Sequence, residues 1–162
     1  MASNQDQTHA TFLRRAIALA LENVQAGKGG PFGAVIVREG QIVGEAANSV
    51  FTTNDPTAHA EVNAIRAACR NLGVFELRGC VIYTSSEPCP MCLAACYWAH
   101  LDHIYYAANA EDAARAGFDD AFLYREMALP AAERSLPAEE LLREEAQASF
   151  AAWDASPFKQ PY

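Results

Sequence analysis

The chain has 162 residues, 51% of them hydrophobic, enough to bury one core and too few for two ordinary domains. Twelve Lys and Arg against twenty Asp and Glu give a formal net charge of -8, a field that repels phosphate, so nucleic acid is a disfavoured partner. The opening residues hold no apolar signal core, and no apolar stretch approaches the roughly 18 residues of a membrane span, so a cytoplasmic protein with no membrane partner is expected.

In chain order, Phe12, Ala16 and Leu19, with Leu13, Ile17, Ala20 and Val24, recur at steps of three and four and predict an amphipathic helix from about His9 to Gln25. Gly33 to Val37 and Ile42 to Ala46 read as two strands of a hairpin around the polar turn Arg38-Glu-Gly-Gln41. Asn54-Asp-Pro-Thr57 is a loop with helix-start residues, and Ala58 to Leu72 is a helix stopped by Gly73, with His59 in its first turn. Cys80 to Thr84 is a strand, Ser85 to Pro88 a loop, and Pro90 to Ala99 a helix. A third strand-like run, His103 to Ala107, precedes a short helix at Glu111 to Ala116. A longer helix from Ala138 to about Trp153 leads into the tail Ser156 to Tyr162. This order implies a three-layer α/β/α sandwich around a mixed sheet.

Five cysteines form an odd set, which in a reducing compartment points to ligands, nucleophiles or core positions before disulfides. Cys69, Cys80 and Cys96 fall where a small buried hydrophobe serves, and His9, His100 and His103 have no ligand partner at useful spacing. The acidic run Glu139, Glu140, Glu144, Glu145 reads as a solvated helix face.

Cys89-Pro-Met-Cys92 puts two sulfurs three residues apart at a helix start, where the positive end of the dipole favours thiolate. Alone the pair fits a redox couple, half of a structural zinc site or two buried thiols; no second such pair is present to complete an all-cysteine site. His59-Ala-Glu61 upstream turns the balance, because the combination resembles the His-x-Glu and Pro-Cys-x-x-Cys signature of zinc deaminases. Three protein ligands, His59, Cys89 and Cys92, leave the fourth tetrahedral position of Zn2+ open, and Glu61 is the carboxylate beside it that would move protons.

The resemblance extends over most of the chain. Gly29-Gly-Pro-Phe-Gly-Ala-Val-Ile-Val37, Asn54 to Glu61, Glu87 to Cys92, Tyr97-Trp98 and Ala116-Gly-Phe-Asp-Asp120 are similar to the cytidine-deaminase-like superfamily and, within it, to bacterial guanine deaminases. The resemblance implies a hydrolase that converts guanine to xanthine and ammonia, with ammeline-like aminotriazines as further substrates. It implies that Asn48 hydrogen-bonds the base, that Phe32 and Trp98 wall the pocket, and that Asp120 accepts from the guanine amino and ring NH groups. It also implies a homodimer in which a segment of about 154–162 crosses to the partner, with Tyr162 and Phe158 over its site. Three rival readings remain: a tRNA adenosine deaminase, which the acidic charge argues against; a cytosine or cytidine deaminase, which needs a smaller pocket; and a zinc-stapled binding module, in which Glu61 would have no task.

Overall fold

Gly33–Arg38 forms β1, whose first five residues are all buried, as the unbroken apolar run of a strand covered on both faces requires. In this computed structural model, which describes residues 4–161 and their side chains from residue 7, β1 is an interior strand of a four-stranded sheet. On one side it pairs antiparallel with β2 (Gln41–Ala47). On the other it pairs antiparallel with β3 (Cys80–Ser86), which pairs in parallel with β4 (His103–Ala108). The sheet order is β2-β1-β3-β4, a mixed sheet as predicted. The hairpin register slips between Ile36 and Val37: Ile36 faces Gly44 while Val37 faces Ile42, so Val43 is an extra residue.

Alternation along β1 and β3 sends side chains into two cores. Val35, Val37 and Tyr83 pack with Ala16, Phe12 and Leu19 of α1 (Asn4–Gln25). Ala34, Ile36 and Ile82 pack with Ala60, Ala64 and Ala68 of α3 (Ala60–Leu72), and with Cys96 of α4 (Pro90–Trp98). This is the three-layer sandwich. Small residues let both helix layers lie close. A methyl group on Gly33 would fall 2.3 Å from Ala16 O, and one on Gly44 would fall 2.6 Å from Ala68 N, so neither position accepts a side chain without moving a helix.

The remaining elements are a one-turn helix α2 (Val50–Thr53), α5 (Ala110–Arg115), α6 (Ala121–Ala128), a short 3-10 turn at Ala131–Glu133 and α7 (Arg143–Ala155). Neither α2 nor α6 is foreseen in the sequence reading. Several predicted boundaries shift, and α1 starts at Asn4, ahead of the predicted His9. His59 caps α3 instead of lying in its first turn, and α7 starts at Arg143, not Ala138, because Leu142 before it adopts a left-handed backbone that helix cannot continue through. The chain divides into two compact units, Met1–Asp120 and Ala121–Tyr162. No described helix is long and apolar enough to cross a membrane.

Candidate active site

Two helix starts converge. His59 is the N-cap of α3 and Cys89 the N-cap of α4, both in extended backbone, and Pro90 opens α4. A proline suits that position because its missing N–H would have no intrahelical partner there. One turn into α4 lies Cys92, fully buried. His59 Nδ1 stands 3.6 Å from Cys89 Sγ and 3.5 Å from Cys92 Sγ. All three donor atoms lie within 4.8 Å of one another, and among the described residues they are the one group of this kind. A tetrahedral zinc with bonds of about 2.3 Å to sulfur and about 2.0–2.1 Å to nitrogen places those atoms about 3.6 Å apart. The donor set and its spacing therefore fit zinc.

Electrostatics inside the cluster favour a cation. Cys89 is held down to about 4, first by its hydrogen bond with Cys92 and next by the imidazole of His59. Cys92, hydrogen-bonded to that sulfur and desolvated, is pushed up, and His59 is raised, chiefly by its hydrogen bond to Cys89. Glu61 sits in the first turn of α3, buried. Burial raises its pKa, so it is a carboxyl able to hold a proton.

These residues open onto a cavity of about 210 Å³, smaller than the roughly 300–1,000 Å³ of sites for drug-sized ligands. Its polar wall includes Asn48, Glu87 and Asp120, and its apolar wall includes Phe32, Phe51 and Phe118. Phe32 meets Phe118 edge to face, centroids 4.8 Å apart, which braces the two rings as one surface. Asn48 is buried at the end of β2; its Oδ1 accepts from Val50 N at 3.2 Å. Desolvation is the main cause of a raised Asp120 carboxyl, followed by the charge on Cys89. Glu87 is tied down by accepting from Ala110 N at the start of α5.

The structure thus brings together His59, Cys89, Cys92, Glu61, Asn48, Phe32 and Asp120. It does not bring Trp98 to them: that ring is 66% exposed at the far end of α4 and does not line the cavity. Nine residues separate it from Cys89, about 13 Å along a helix axis. Tyr162 lies outside the described residues. All five cysteines are free; Cys80 and Cys96 are buried and Cys69 partly so, as core positions should be. His9 takes no part in a metal group; its ring hydrogen-bonds the Tyr83 hydroxyl at 2.8 Å and stacks on Tyr105.

Sequence reasoning passed over Phe51, Phe118 and Ser86 as cavity residues, and Asn23 behind the wall. Asn23 did carry a signal. It continues the 12, 16, 19 stripe of α1 as a polar residue on an apolar face, and it is buried.

The pattern described as the cytidine and deoxycytidylate deaminase zinc-binding region matches residues 6–108. The chain is 54% identical over 154 residues to the guanine deaminase of Bacillus subtilis (strain 168), which spans 95% of this chain and 99% of that one. An X-ray structure of guanine deaminase from B. subtilis superposes with a TM-score of 0.93 at 55% identity, over 95% of this chain and 98% of that chain. A tRNA-specific adenosine deaminase of Aquifex aeolicus (strain VF5) is more distant: 42% identical over 97 residues, 60% of this chain and 64% of that one.

Proposed function

The chain belongs to the cytidine and deoxycytidylate deaminase zinc-binding family, and from that premise we propose that it hydrolyses guanine to xanthine and ammonia at the centre formed by His59, Cys89 and Cys92. The observation that carries the reading is a buried carboxyl, Glu61, beside a three-donor metal cluster on the wall of a cavity sized for one heterocycle. A structural metal site needs four ligands and no acid; three ligands and an acid suit hydrolysis. Zinc held by these three residues would supply Lewis acidity, making a nearby water acidic enough to react near neutral pH.

The chain's own residues do the rest. Glu61 takes a proton from the attacking water and passes it to the ring nitrogen beside the amino-bearing carbon. It then carries the second proton to the departing amine, so that water and guanine balance xanthine and ammonia. Asn48 offers its side-chain N–H donors to the purine edge, Phe32 packs on the ring, and the Asp120 carboxylate accepts from the amino and ring NH groups. A partly desolvated carboxylate in that position discriminates for guanine, because adenine lacks the matching ring NH.

The assembly proposed is a homodimer with the tail exchanged. Support comes from apolar side chains left exposed: in the first unit Tyr97 and Trp98, and in the second Leu136, Leu141, Leu142, Phe150 and Phe158. In that assembly the exchanged segment of about 154–162 covers the partner's cavity.

Ultraviolet assays of the zinc-loaded protein on guanine, ammeline, adenine, cytosine and their nucleosides test the reading. Guanine is expected to react fastest, with slower turnover of ammeline, which carries the same amino-amidine edge. Faster deamination of adenine or cytosine would overturn it.

A further inference from the structure

Asn23 lies on α1, none of whose described residues lines the cavity wall. It is nonetheless buried, and its Nδ2 donates to two carbonyls, Gly30 O and Asn48 O, each at 2.9 Å. Both acceptors belong to cavity residues, one in the loop entering β1 and the other at the exit of β2. One amide nitrogen therefore fastens two separate walls to each other. The packing there leaves no slack: a methyl group on Gly29 would fall 2.5 Å from Asn48 O and 2.9 Å from Asn23 Nδ2.

Asn48 is held on its other sides as well. Its backbone N donates to Phe32 O at 3.0 Å, which links it to the aromatic wall. On α3, Asn63 Nδ2 donates to Ala47 O at 3.2 Å, to Ser49 Oγ at 3.0 Å and to Ala58 O at 3.2 Å, gripping the residues before and after Asn48. With Oδ1 occupied by Val50 N, the Asn48 side-chain nitrogen has no hydrogen-bond partner among the described residues, so its two donors remain for a ligand.

We propose that Asn23, assisted by Asn63, is a positioning residue that sets the orientation of Asn48 and through it the fit of guanine. The inference rests on the reading of Asn48 as a base contact. The chemistry explains the residue type: an amide nitrogen carries two N–H donors in a fixed fork, which neither an aspartate nor a serine reproduces. Without it, two buried carbonyls lose their donor and the segment 47–49 is free to shift, and displacements near 1 Å at a binding edge weaken productive binding severely.

The test is a double-mutant cycle in kcat and KM for guanine, with zinc content and melting temperature followed in each protein. Asn48→Ala is expected to raise KM about tenfold or more, and Asn23→Ala to raise it about fivefold to tenfold, with zinc stoichiometric in both. The double variant is expected to have the KM of Asn48→Ala alone, because Asn23 acts through Asn48. Multiplying KM factors, or an unchanged KM in Asn23→Ala, would reduce Asn23 to a structural residue and overturn the proposal. An unchanged KM in Asn48→Ala would instead remove the base-contact reading beneath it. If Asn23→Ala does not fold, Asn23→Ser, which keeps one donor, takes its place in the cycle, with a smaller KM increase that again vanishes in the Asn48→Ala background; persistence there counts against the proposal.

Discussion

Arg15 on α1 holds Glu45 on β2 through two contacts, Nη2 to Oε1 at 2.6 Å and Nε to Oε2 at 2.9 Å. The hydrogen bonds from Arg15 are the main cause that lowers the Glu45 pKa. A lowered carboxyl lends stability that is present above the ordinary glutamate value and is lost as pH falls through the folded-state value. Both side chains are about one-third exposed, so solvent screening limits the pair to about 0.5–1 kcal/mol. Glu45→Gln is expected to lower the urea midpoint at pH 7 and to converge with the parent protein once the pH has fallen below the lowered folded-state value of Glu45. A difference that persists undiminished in acid would show that the pair's charge is not what matters.

Glu61→Gln is expected to bind zinc stoichiometrically while kcat for guanine falls by about 10²–10⁴. Chelation of the parent protein is expected to abolish turnover reversibly, with zinc restoring it. Metal analysis of the variant alongside its kinetics separates a lost proton carrier from a lost metal site. Near-normal kcat in a zinc-loaded Glu61→Gln protein would contradict the role given to this residue.

Asp120→Asn tests substrate choice. The carboxylate accepts two hydrogen bonds, whereas an amide turned the same way presents donors to donors, so kcat/KM for guanine is expected to fall about 10²-fold. The guanine-to-adenine ratio of kcat/KM should shrink with it. An unaltered ratio would mean that discrimination lies elsewhere in the cavity.

Removal of residues 156–162 is expected to leave zinc in place and to abolish guanine turnover. Co-expression of that truncated chain with full-length Glu61→Gln chain is the sharper measurement. If tails are exchanged, the inactive chain supplies its tail to the competent site of the other, and partial activity returns. No recovery in verified heterodimers would mean that each tail closes its own site.

The metal trio and Glu61 were legible because their spacing is short-range: Cys-x-x-Cys and His-x-Glu each fit within one helical turn. Only their convergence required the fold. Asn48, Phe32 and Asp120 came from family likeness, and the structure places each on the cavity wall. Trp98 did not follow, since lying on the ligand helix does not say whether a residue sits at the end that faces the site. The roles of Asn23 and Asn63 depend on carbonyls up to 25 residues away, a relationship that periodicity does not encode. The sequence reading missed α6 because its residues show no stripe of burial; none is buried, and the element is marked only by good helix formers and the Pro130 that follows.

His59 and Cys89 each occupy the position where a serine or aspartate would ordinarily tether a helix's first amides, and neither side chain makes such a bond. An ion held by both side chains would pin the two helix starts to each other in place of those bonds. Demetallation should be felt first as fraying of the opening turns of α3 and α4, seen as accelerated amide exchange over residues 60–63 and 91–94, while the strand amides of β1 stay protected. The catalytic ion and the local rigidity of the scaffold would then be gained and lost together, so a metal-starved cell would hold a pool of this protein that is loosened at the site yet intact in its core.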